Sequence, residues 1–440
     1  MMRHLLLSAF LLAAAVGFAA EPAAATDHLR LAALVEKSGG NIRIPAGHYR
    51  FGGTLEIDLK RLSAVTLSAA GPVTITMAAA GPAIRVVGSL TGRAHPETIT
   101  PETWRERMPT ITGIEILGAH PEADGIELLQ TLQPIISRVA IRDTRHGIVL
   151  AKRNRNVIIS DVHIYHCTDI GLYLDHVDLH QINVSNSHIS YCRKGGIVIR
   201  GGNVRNVQIT GCDIEANMPN DPTPTTAANI LIEQTKPGES IAEVAITGCT
   251  IQHFAHYHPQ KQAPGGANIR VLGSAENPFK PNMINITGNV MSDTHCHVHL
   301  RHATDVTLTG NNFFTTEPTD LLVENCARVT VAACVFNPRE SKGTGEIVFR
   351  DSSHCVLSGL TTLNLQAGEA AIRLENCRAM RVTGCIIAGS KNGIALRGGA
   401  GCAITDCTVT DLPAGGVAVI GTLGDHLVRD VLADSTIRKE

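Results

Sequence analysis

One short strand pattern recurs along most of the sequence, and this repeat constrains the fold more than any other feature. Its clearest copies are GLYLD at 171–175 and GIVIR at 196–200, in which apolar and polar residues alternate as on a β-strand. Most steps between copies are 22 to 26 residues long. The first inward-facing positions are predicted to be 126, 148, 172, 197, 230, 269, 298, 321, 347, 372, 394 and 417.

A second strand pattern, Val-x-Ile-Thr-Gly-[Cys/Asn]-x-Ile, lies between the copies, as in NVQITGCDI at 206–214. A unit of two or three short strands cannot bury its apolar face alone, whereas stacked units bury a continuous column of Ile, Leu and Val. The content of 41 Gly and only 3% aromatic residues suits short strands and tight turns. A leucine-rich repeat has a similar period, but its LxxLxL line and helix are missing. The sequence therefore predicts an all-β fold, a parallel β-helix solenoid of roughly 12–14 coils.

The N-terminal region divides into a leader and a cap. Residues 1–25 contain a short polar start, an apolar run and small residues, which is typical of a secretory signal peptide and predicts a periplasmic or secreted protein; a buried first helix is the alternative. Residues 26–60 hold a predicted capping helix, with Asp27 as its N-cap, and the leading strand. The solenoid is assigned to 61–440. No later apolar run is long enough for a membrane span, and a net charge of −2 gives no argument for nucleic acid.

The stretch GGNIRIPAGHYRF at 39–51 resembles the start of proteins of the pectate-lyase-like superfamily. In that superfamily a helix covers the open end of a right-handed, single-stranded parallel β-helix before a strand of the form Gly-Gly-x-[IV]-x-[IV]-Pro-x-Gly-x-Tyr. The resemblance implies the right-handed fold over roughly 27–430. It implies little about chemistry, because one fold hosts many functions.

Three consecutive steps of 33, 39 and 29 residues interrupt the regular spacing. They place extra residues at 216–227, 252–266 and 273–282, flanking one side of the solenoid in adjacent coils. Loops on a rigid scaffold often carry function, although tolerated surface insertion explains them equally simply. Histidine and tyrosine are concentrated in the same part of the chain, which favours the functional interpretation.

The strands of the first pattern, in which Gly and an apolar residue are followed two positions later by Leu or Ile, are called GIxL strands. Stacking predicts two outward rows of side chains on them. One row contains Tyr173, Val198, Leu231, Arg270 and His299. The other contains Asp175, Arg200, Glu233, Leu272, Arg301, Glu324, Arg350, Glu375 and Arg397. From Arg301 onward the charges alternate in sign, as a structural ladder requires because like charges in neighbouring strands repel. For Asp175, Arg200 and Glu233, a structural and a functional role remain equally open.

Candidate site residues were chosen beside the long loops. The predicted catalytic residues are Tyr173, Asp175, His176, Arg200 and Glu233. The predicted substrate-binding residues are His253, Tyr257, Lys261, Arg270, His299 and Arg301. Arg200 would neutralise a substrate carboxylate, Tyr173 or His176 would act as base or acid, and Asp175 would orient His176.

Metal and redox sites are weaker hypotheses. His163, His188 and Asp213 form a column that would suit a metal ion, and HCHVH at 295–299 looks like a metal tract but has no adjacent carboxylate. Histidines are expected to point outward, because a β-helix core has no use for them. The 12 Cys are expected to be mostly buried thiols in ladders, since stacked side chains run parallel and fit disulfide geometry poorly. No cofactor and no metal ligand set is predicted.

A groove bordered by loops on a β-helix suits an extended, possibly acidic, polysaccharide. Asp175-His176-Val177-Asp178 followed by Arg200 is similar to the Asp-Pro-His-Asp run and following Arg of periplasmic mannuronan C5-epimerases, but the Pro is missing and the His is shifted by one. The resemblance implies lyase or epimerase chemistry. Three alternatives remain open: a non-catalytic glycan-binding or surface solenoid; a polysaccharide hydrolase, for which Asp124 and Glu127 lack the paired Asp; and a redox or metal protein.

Overall fold

The computed structural model describes residues 25–92, 96–219, 223–253, 265–339, 345–421, 424–433 and 437–439. The predicted signal peptide therefore lies outside the described residues apart from Ala25. In the described part, 41 strands form one continuous parallel sheet, which coils into about 15 turns with three faces per turn. The coil count slightly exceeds the predicted 12–14, because strands at both ends of the chain lack the sequence repeat.

Each turn runs from face 1, which carries the GIxL strands, through face 2, which carries the Val-x-Ile-Thr strands, to the short face 3. Five long strands continue round a corner and belong to two faces. These five are Ala123–Leu132, Ile148–Ser160 and Ile170–Ser185, on faces 1 and 2, and Val290–Arg301 and Asn312–Glu324, on faces 3 and 1.

The remaining strands each belong to one face. Face 1 also contains Leu55–Asp58, Gly81–Val87, Gly195–Arg200, Ala228–Glu233, Ala267–Leu272, Ile347–Arg350, Ile372–Glu375, Ile394–Arg397, Val419–Gly421 and Ile437–Lys439. Face 2 also contains Asn41–Ile44, Thr66–Ala69, Thr110–Thr112, Ile135–Ser137, Asn203–Thr210, Ser240–Thr247, Asn282–Thr287, Thr304–Thr309, Ala327–Ala332, Val356–Ser358, Arg381–Thr383, Ala403–Thr405 and Leu427–Arg429. Face 3 also contains Gly47–Phe51, Val73–Met77, Glu115–Gly118, Ala140–Arg142, His163–Tyr165, His188–Ser190, Asp213–Glu215, Thr250–Gln252, Val335–Phe336, Thr361–Leu363, Ile386–Ala388, Thr408–Thr410 and Leu432–Ala433.

The core is a single apolar column inside the coil, extending from Leu31 in the first helix to Val419 near the end. Alternation along each strand turns every second side chain inward, and burial of each Ile, Leu or Val contributes roughly 1.5–3 kcal/mol. The predicted inward positions are in register from 126 to 394. The prediction of 417 is wrong by two residues, because Val419 pairs with Ile394.

The Gly of the Val-x-Ile-Thr-Gly pattern forms the corner between faces 2 and 3. Gly211 has φ 60° and Gly288 has φ 64°, a left-handed conformation that favours glycine, and Asn186 takes the same corner with φ 50°. The residue after the corner points inward, which explains the Cys or Asn there. All 12 cysteines are buried free thiols, as predicted.

Three α-helices, Asp27–Lys37, Leu59–Leu62 and Pro101–Arg105, and the 3₁₀ turn Pro96–Thr98 complete the described elements. The first helix covers the open end of the coil by burying Leu31 and Val35. Asp27 is not its N-cap as predicted: it is the first helical residue, and its Oδ2 accepts the backbone N–H of Arg50 at 2.8 Å. Among the described residues no helix is long and apolar enough to cross a membrane.

Candidate active site

Four of the five predicted catalytic residues lie on three consecutive strands of face 1. Leu172 and Leu174 point into the core, so Tyr173 and Asp175 between and after them point outward. Asp175 is in register with Arg200, and Arg200 with Glu233. Both predicted rows of face 1 are confirmed by the strand register.

Tyr173 lies at the centre of this group. The Arg200 guanidinium carbon is 5.8 Å from the centroid of its ring. Burial, and next the nearby Asp175 charge, raise the pKa of Tyr173. The phenol therefore stays protonated at neutral pH and is a proton donor.

Arg200 is held by Glu233, whose Oε2 accepts from Arg200 Nε at 3.0 Å. Burial alone would lower the pKa of Arg200, but Glu233 and Tyr173 outweigh it and the pKa is raised. The guanidinium is therefore a fixed positive charge. Because the Nε–H of Arg200 already donates to Glu233, a substrate carboxylate would have to bind through the Nη groups of Arg200.

His176 occupies the corner between faces 1 and 2, with φ 45°. Its Nδ1 is 2.8 Å from Asp175 Oδ1, and its Nε2 is 3.1 Å from Thr235 Oγ1. Glu239 Oε1 lies 4.0 Å from the same Nε2. Asp175 is thus placed to orient His176, and both ring nitrogens are engaged with protein groups.

Sequence reasoning missed Glu239, Thr235 and Gly201. Backbone N–H groups of Thr235 and Lys236 donate to Glu239 Oε2 at 2.6 and 3.1 Å; burial would raise the pKa of Glu239, but these bonds lower it. A Cβ on Gly201 would lie 2.4 Å from Glu239 Oε1, so this glycine makes room for the carboxylate. The Gly-Gly pair directly after Arg200 was the available sequence signal for such a close approach.

His146, one turn before Tyr173, was also missed. Its ring centroid is 5.3 Å from that of Tyr173. Burial is the main cause that lowers the pKa of His146, so its imidazole is neutral at pH 7. Its Nδ1 is buried and has no hydrogen-bond partner in the described part of the chain. The available sequence signal for His146 was its position directly before Gly147, the glycine of a GIxL strand.

Three of the six predicted substrate-binding residues, Arg270, His299 and Arg301, lie on two neighbouring strands of face 1. Arg270 is only 8% exposed, and one of its Nη groups donates to the Thr225 carbonyl in the first long loop. His299 Nε2 is 3.1 Å from Glu324 Oε2, and Arg301 is exposed. His253 is 2% exposed. Tyr257 and Lys261 lie outside the described residues.

Other charged positions are structural. Arg350 bridges Glu324 at 2.7 Å and Glu375 at 2.8 Å, which supports the predicted charge ladder. Arg397 is in register with Glu375 but also binds Glu369, at 2.6 Å. The candidate hydrolase residue Asp124 is buried and accepts two bonds from Arg145, at 2.6 and 2.9 Å.

Two expectations about histidine need correction. His297 points into the interior and is fully buried, and its Nε2 lies 3.8 Å from Asp320 Oδ1. The tract at 295–299 therefore has carboxylates beside it, Asp320 inside and Glu324 outside. His163 and His188 do stack, at 5.1 Å between ring centroids, with His188 Nδ1 3.6 Å from Asp213. Within the described residues, no three His, Cys, Asp or Glu side chains are grouped to hold a metal ion.

The family model for the right-handed β-helix region matches residues 108–236 and 269–430, about two thirds of the chain. The chain belongs to this family of right-handed β-helix proteins. The solenoid predicted from the repeat and the right-handedness implied by the resemblance are thereby confirmed. None of the curated proteins matches the chain in sequence.

Solved structures with a similar course of the chain include both enzymes and adhesins. The tailspike protein of E. coli bacteriophage HK620, in complex with a pentasaccharide, is 11% identical over 89% of this chain and 74% of its own, with a TM-score of 0.50. The A-module of a mannuronan C-5 epimerase from Azotobacter vinelandii is 12% identical over 95% and 94%, with a TM-score of 0.44. A surface adhesin of Streptococcus pneumoniae is 12% identical over 90% and 87%, also at 0.44. At such identities the similarity concerns the fold alone.

Proposed function

We propose that this β-helix protein acts on an extended uronate-containing polysaccharide, by lyase or epimerase chemistry on face 1. The observation that carries the proposal is the meeting of three chemically distinct groups from three consecutive turns: neutral His146, protonated Tyr173 and cationic Arg200. Removing the proton next to a carboxylate needs a base, an acid and a cation that stabilises the developing charge.

In this mechanism Arg200 binds the substrate carboxylate through its Nη groups. The His146 imidazole accepts the C5 proton, and the electron pair of the broken C–H bond moves onto the carboxylate, where Arg200 stabilises it. In a lyase this pair then forms the C4–C5 double bond while the C4–O bond breaks, and Tyr173 protonates the leaving oxygen. In an epimerase Tyr173 returns a proton to C5 from the opposite side. The corner beside Arg200 is held in place by the contacts among Asp175, His176 and Glu239.

A polymer rather than a small molecule is favoured by the shape of the site. The group lies on an open strand face beside the long loops at 216–227 and 273–282, and cationic or imidazole groups at Arg270, His299 and Arg301 continue along the same face. We also propose export through the predicted signal at 1–25, which would bring the protein to extracellular or periplasmic glycans.

The test is incubation of the purified protein with a panel of uronate polymers. Ultraviolet absorbance of unsaturated uronates reports a lyase, and NMR-detected deuterium incorporation at C5 in D₂O reports an epimerase. Arg200→Ala should lower kcat/KM by at least about 100-fold, whereas the matched Arg350→Ala on the same row should leave it within about twofold. Full activity in Arg200→Ala would show that the proposed site is wrong.

One observation favours a second candidate, non-catalytic glycan binding. Glu233 already pairs with Arg200, and both His176 nitrogens are engaged, so the charges of this group are partly compensated within the protein. Tight binding of a uronate oligomer that is lost in Arg200→Ala, with no product and no deuterium incorporation, would identify a binding protein.

A further inference from the structure

A cavity of about 330 Å³ lies on face 2, away from the group around Tyr173. Most of its lining residues are Asn or Gln. The lining residues are Asn156, Val157, Ile158, Gln181, Asn183, Asn206 and Gln208.

The amides come from equivalent positions of three consecutive turns. Ile158 is in register with Asn183, and Asn183 with Gln208. Asn156, Gln181 and Asn206 each stand two residues earlier, with φ of 55°, 72° and 54°. Because neighbouring strands are about 4.8 Å apart, the cavity presents a regular array of amide groups along the coil axis.

Buried amides in this protein behave differently. Inside the coil Asn229 Nδ2 donates to Asn268 Oδ1 at 2.8 Å, and Asn289 Nδ2 donates to Asn311 Oδ1 at 3.0 Å, so stacked Asn residues satisfy one another. In the face 2 cavity the Asn206 side-chain amide donates to Glu243. The amides of Asn156, Asn183 and Gln208 make no hydrogen bond to any described residue.

We infer that this cavity is a second glycan site, which binds an uncharged oligosaccharide. A free carboxamide offers two donors and one acceptor oxygen, the combination that pairs with sugar hydroxyls. Ile158, 40% exposed at the cavity, supplies an apolar surface for the C–H face of a sugar ring. No charged side chain lines the cavity, so it lacks the cation that a uronate needs. The site thus differs in ligand class from the Arg200 site and does not depend on it.

The experiment is calorimetric titration of the full chain with cellohexaose, mannohexaose and maltohexaose, and with hexagalacturonate as the acidic probe. The test variant is Asn183→Ala/Gln208→Ala. The matched control is Asn285→Ala, an exposed amide two strands further along the same row and outside the cavity. All three sites are on the solvent side of a strand, so the thermal midpoint should not change.

We expect at least one neutral hexasaccharide to bind, at least tenfold more weakly to the double variant, and equally to wild type, Asn285→Ala and Arg200→Ala. Binding of hexagalacturonate should not respond to the double variant. The inference is wrong if no neutral hexasaccharide binds at millimolar concentration, or if the double variant binds every one as wild type does. Loss of neutral-sugar binding in Arg200→Ala would place that ligand on face 1 and would also overturn it.

Discussion

Face 1 is built differently in its first and second halves. In the second half Arg350 is held by Glu324 and Glu375, and the outward charges neutralise one another along the row. In the first half Asp175 binds His176 at the corner. Among the described residues Arg200 pairs with only one acid, Glu233, while its guanidinium lies over Tyr173. The same alternation of charges therefore gives an arginine held by two acids in one half and an arginine held by one acid and an aromatic ring in the other.

The residue directly before the first inward residue of each face 1 strand, here called the inner edge of face 1, also changes between the two halves. In the first half this position is glycine, and a Cβ on Gly171 would lie 2.8 Å from the Gly196 carbonyl oxygen and 2.6 Å from an Ile189 methyl. After the 216–227 loop the position becomes Asn229, Asn268, His297 and Asp320 in successive turns, all buried. Where the insertions lengthen the corner, hydrogen-bonded side chains replace close backbone contact.

The largest expected effect follows from this inner edge. Gly171→Val places a branched side chain against the next turn, where the nearest atoms include backbone that cannot move aside. We expect a loss of at least about 4 kcal/mol in the free energy of unfolding, measured by chemical denaturation. The opposite change at the equivalent position of the second half, Ala371→Gly, should cost only about 1 kcal/mol. A loss of less than about 1 kcal/mol in Gly171→Val would mean that the close backbone contact does not limit this position.

Two buried polar residues of the second half, Asp320 and His297, should affect the stability of the protein with opposite dependences on pH. Burial is the main cause that raises the pKa of Asp320, to about 7, with a further contribution from Glu346 and an opposing hydrogen bond from Thr316. Burial lowers the pKa of His297 to about 3. Between pH 4 and 6.5 the native state therefore retains a proton on Asp320 that the unfolded chain loses, and lacks a proton on His297 that the unfolded chain gains. These two effects on stability cancel in the wild type.

Single substitutions should remove the cancellation. In Asp320→Asn only His297 remains, so stability should rise with pH from about 3 to 6.5. In His297→Asn only Asp320 remains, so stability should fall as pH rises from about 4 to 7. Each slope should reach up to about 1.4 kcal/mol per pH unit, measured as unfolding free energy at several pH values. Slopes of the same sign in both variants would contradict the assignment.

In the first half Tyr173→Phe tests the hydroxyl without removing the ring. We expect kcat to fall by about 100-fold because the proton donor is lost, while KM changes by less than about threefold because the apolar contact remains. Leu322→Ala, in the same row of the second half, should leave kcat unchanged. A large rise in KM at constant kcat in Tyr173→Phe would make Tyr173 a binding residue only.

The repeat predicted the register of face 1 because a period-2 pattern states directly which side chains point outward. The repeat did not predict side-chain directions at the corners. There the consecutive residues Cys296, His297 and Val298 are all buried, so the alternation of inward and outward side chains no longer holds. His146 and Glu239 were missed for a related reason. Their contacts with Tyr173 and His176 cross a corner, and corner geometry depends on loop length rather than on strand pattern. The repeat also predicts Val417 instead of Val419 as an inward position, because Gly416 resembles the Gly of the repeat, although Ala418 occupies that position.

The smallest effect is expected in the charge ladder itself. Arg350 is 40% exposed, so solvent screens its pairs with Glu324 and Glu375, and Arg350→Ala should cost no more than about 1 kcal/mol of unfolding free energy. His299 and Arg373 remain beside the two glutamates and limit the repulsion left behind. The cost should shrink further in 1 M salt, where the Debye length is about 3 Å. A loss well above this value that persists in salt would mean that the ladder holds the coil together by packing of the Arg350 stem, and that the two halves of face 1 differ less in electrostatics than in contact area.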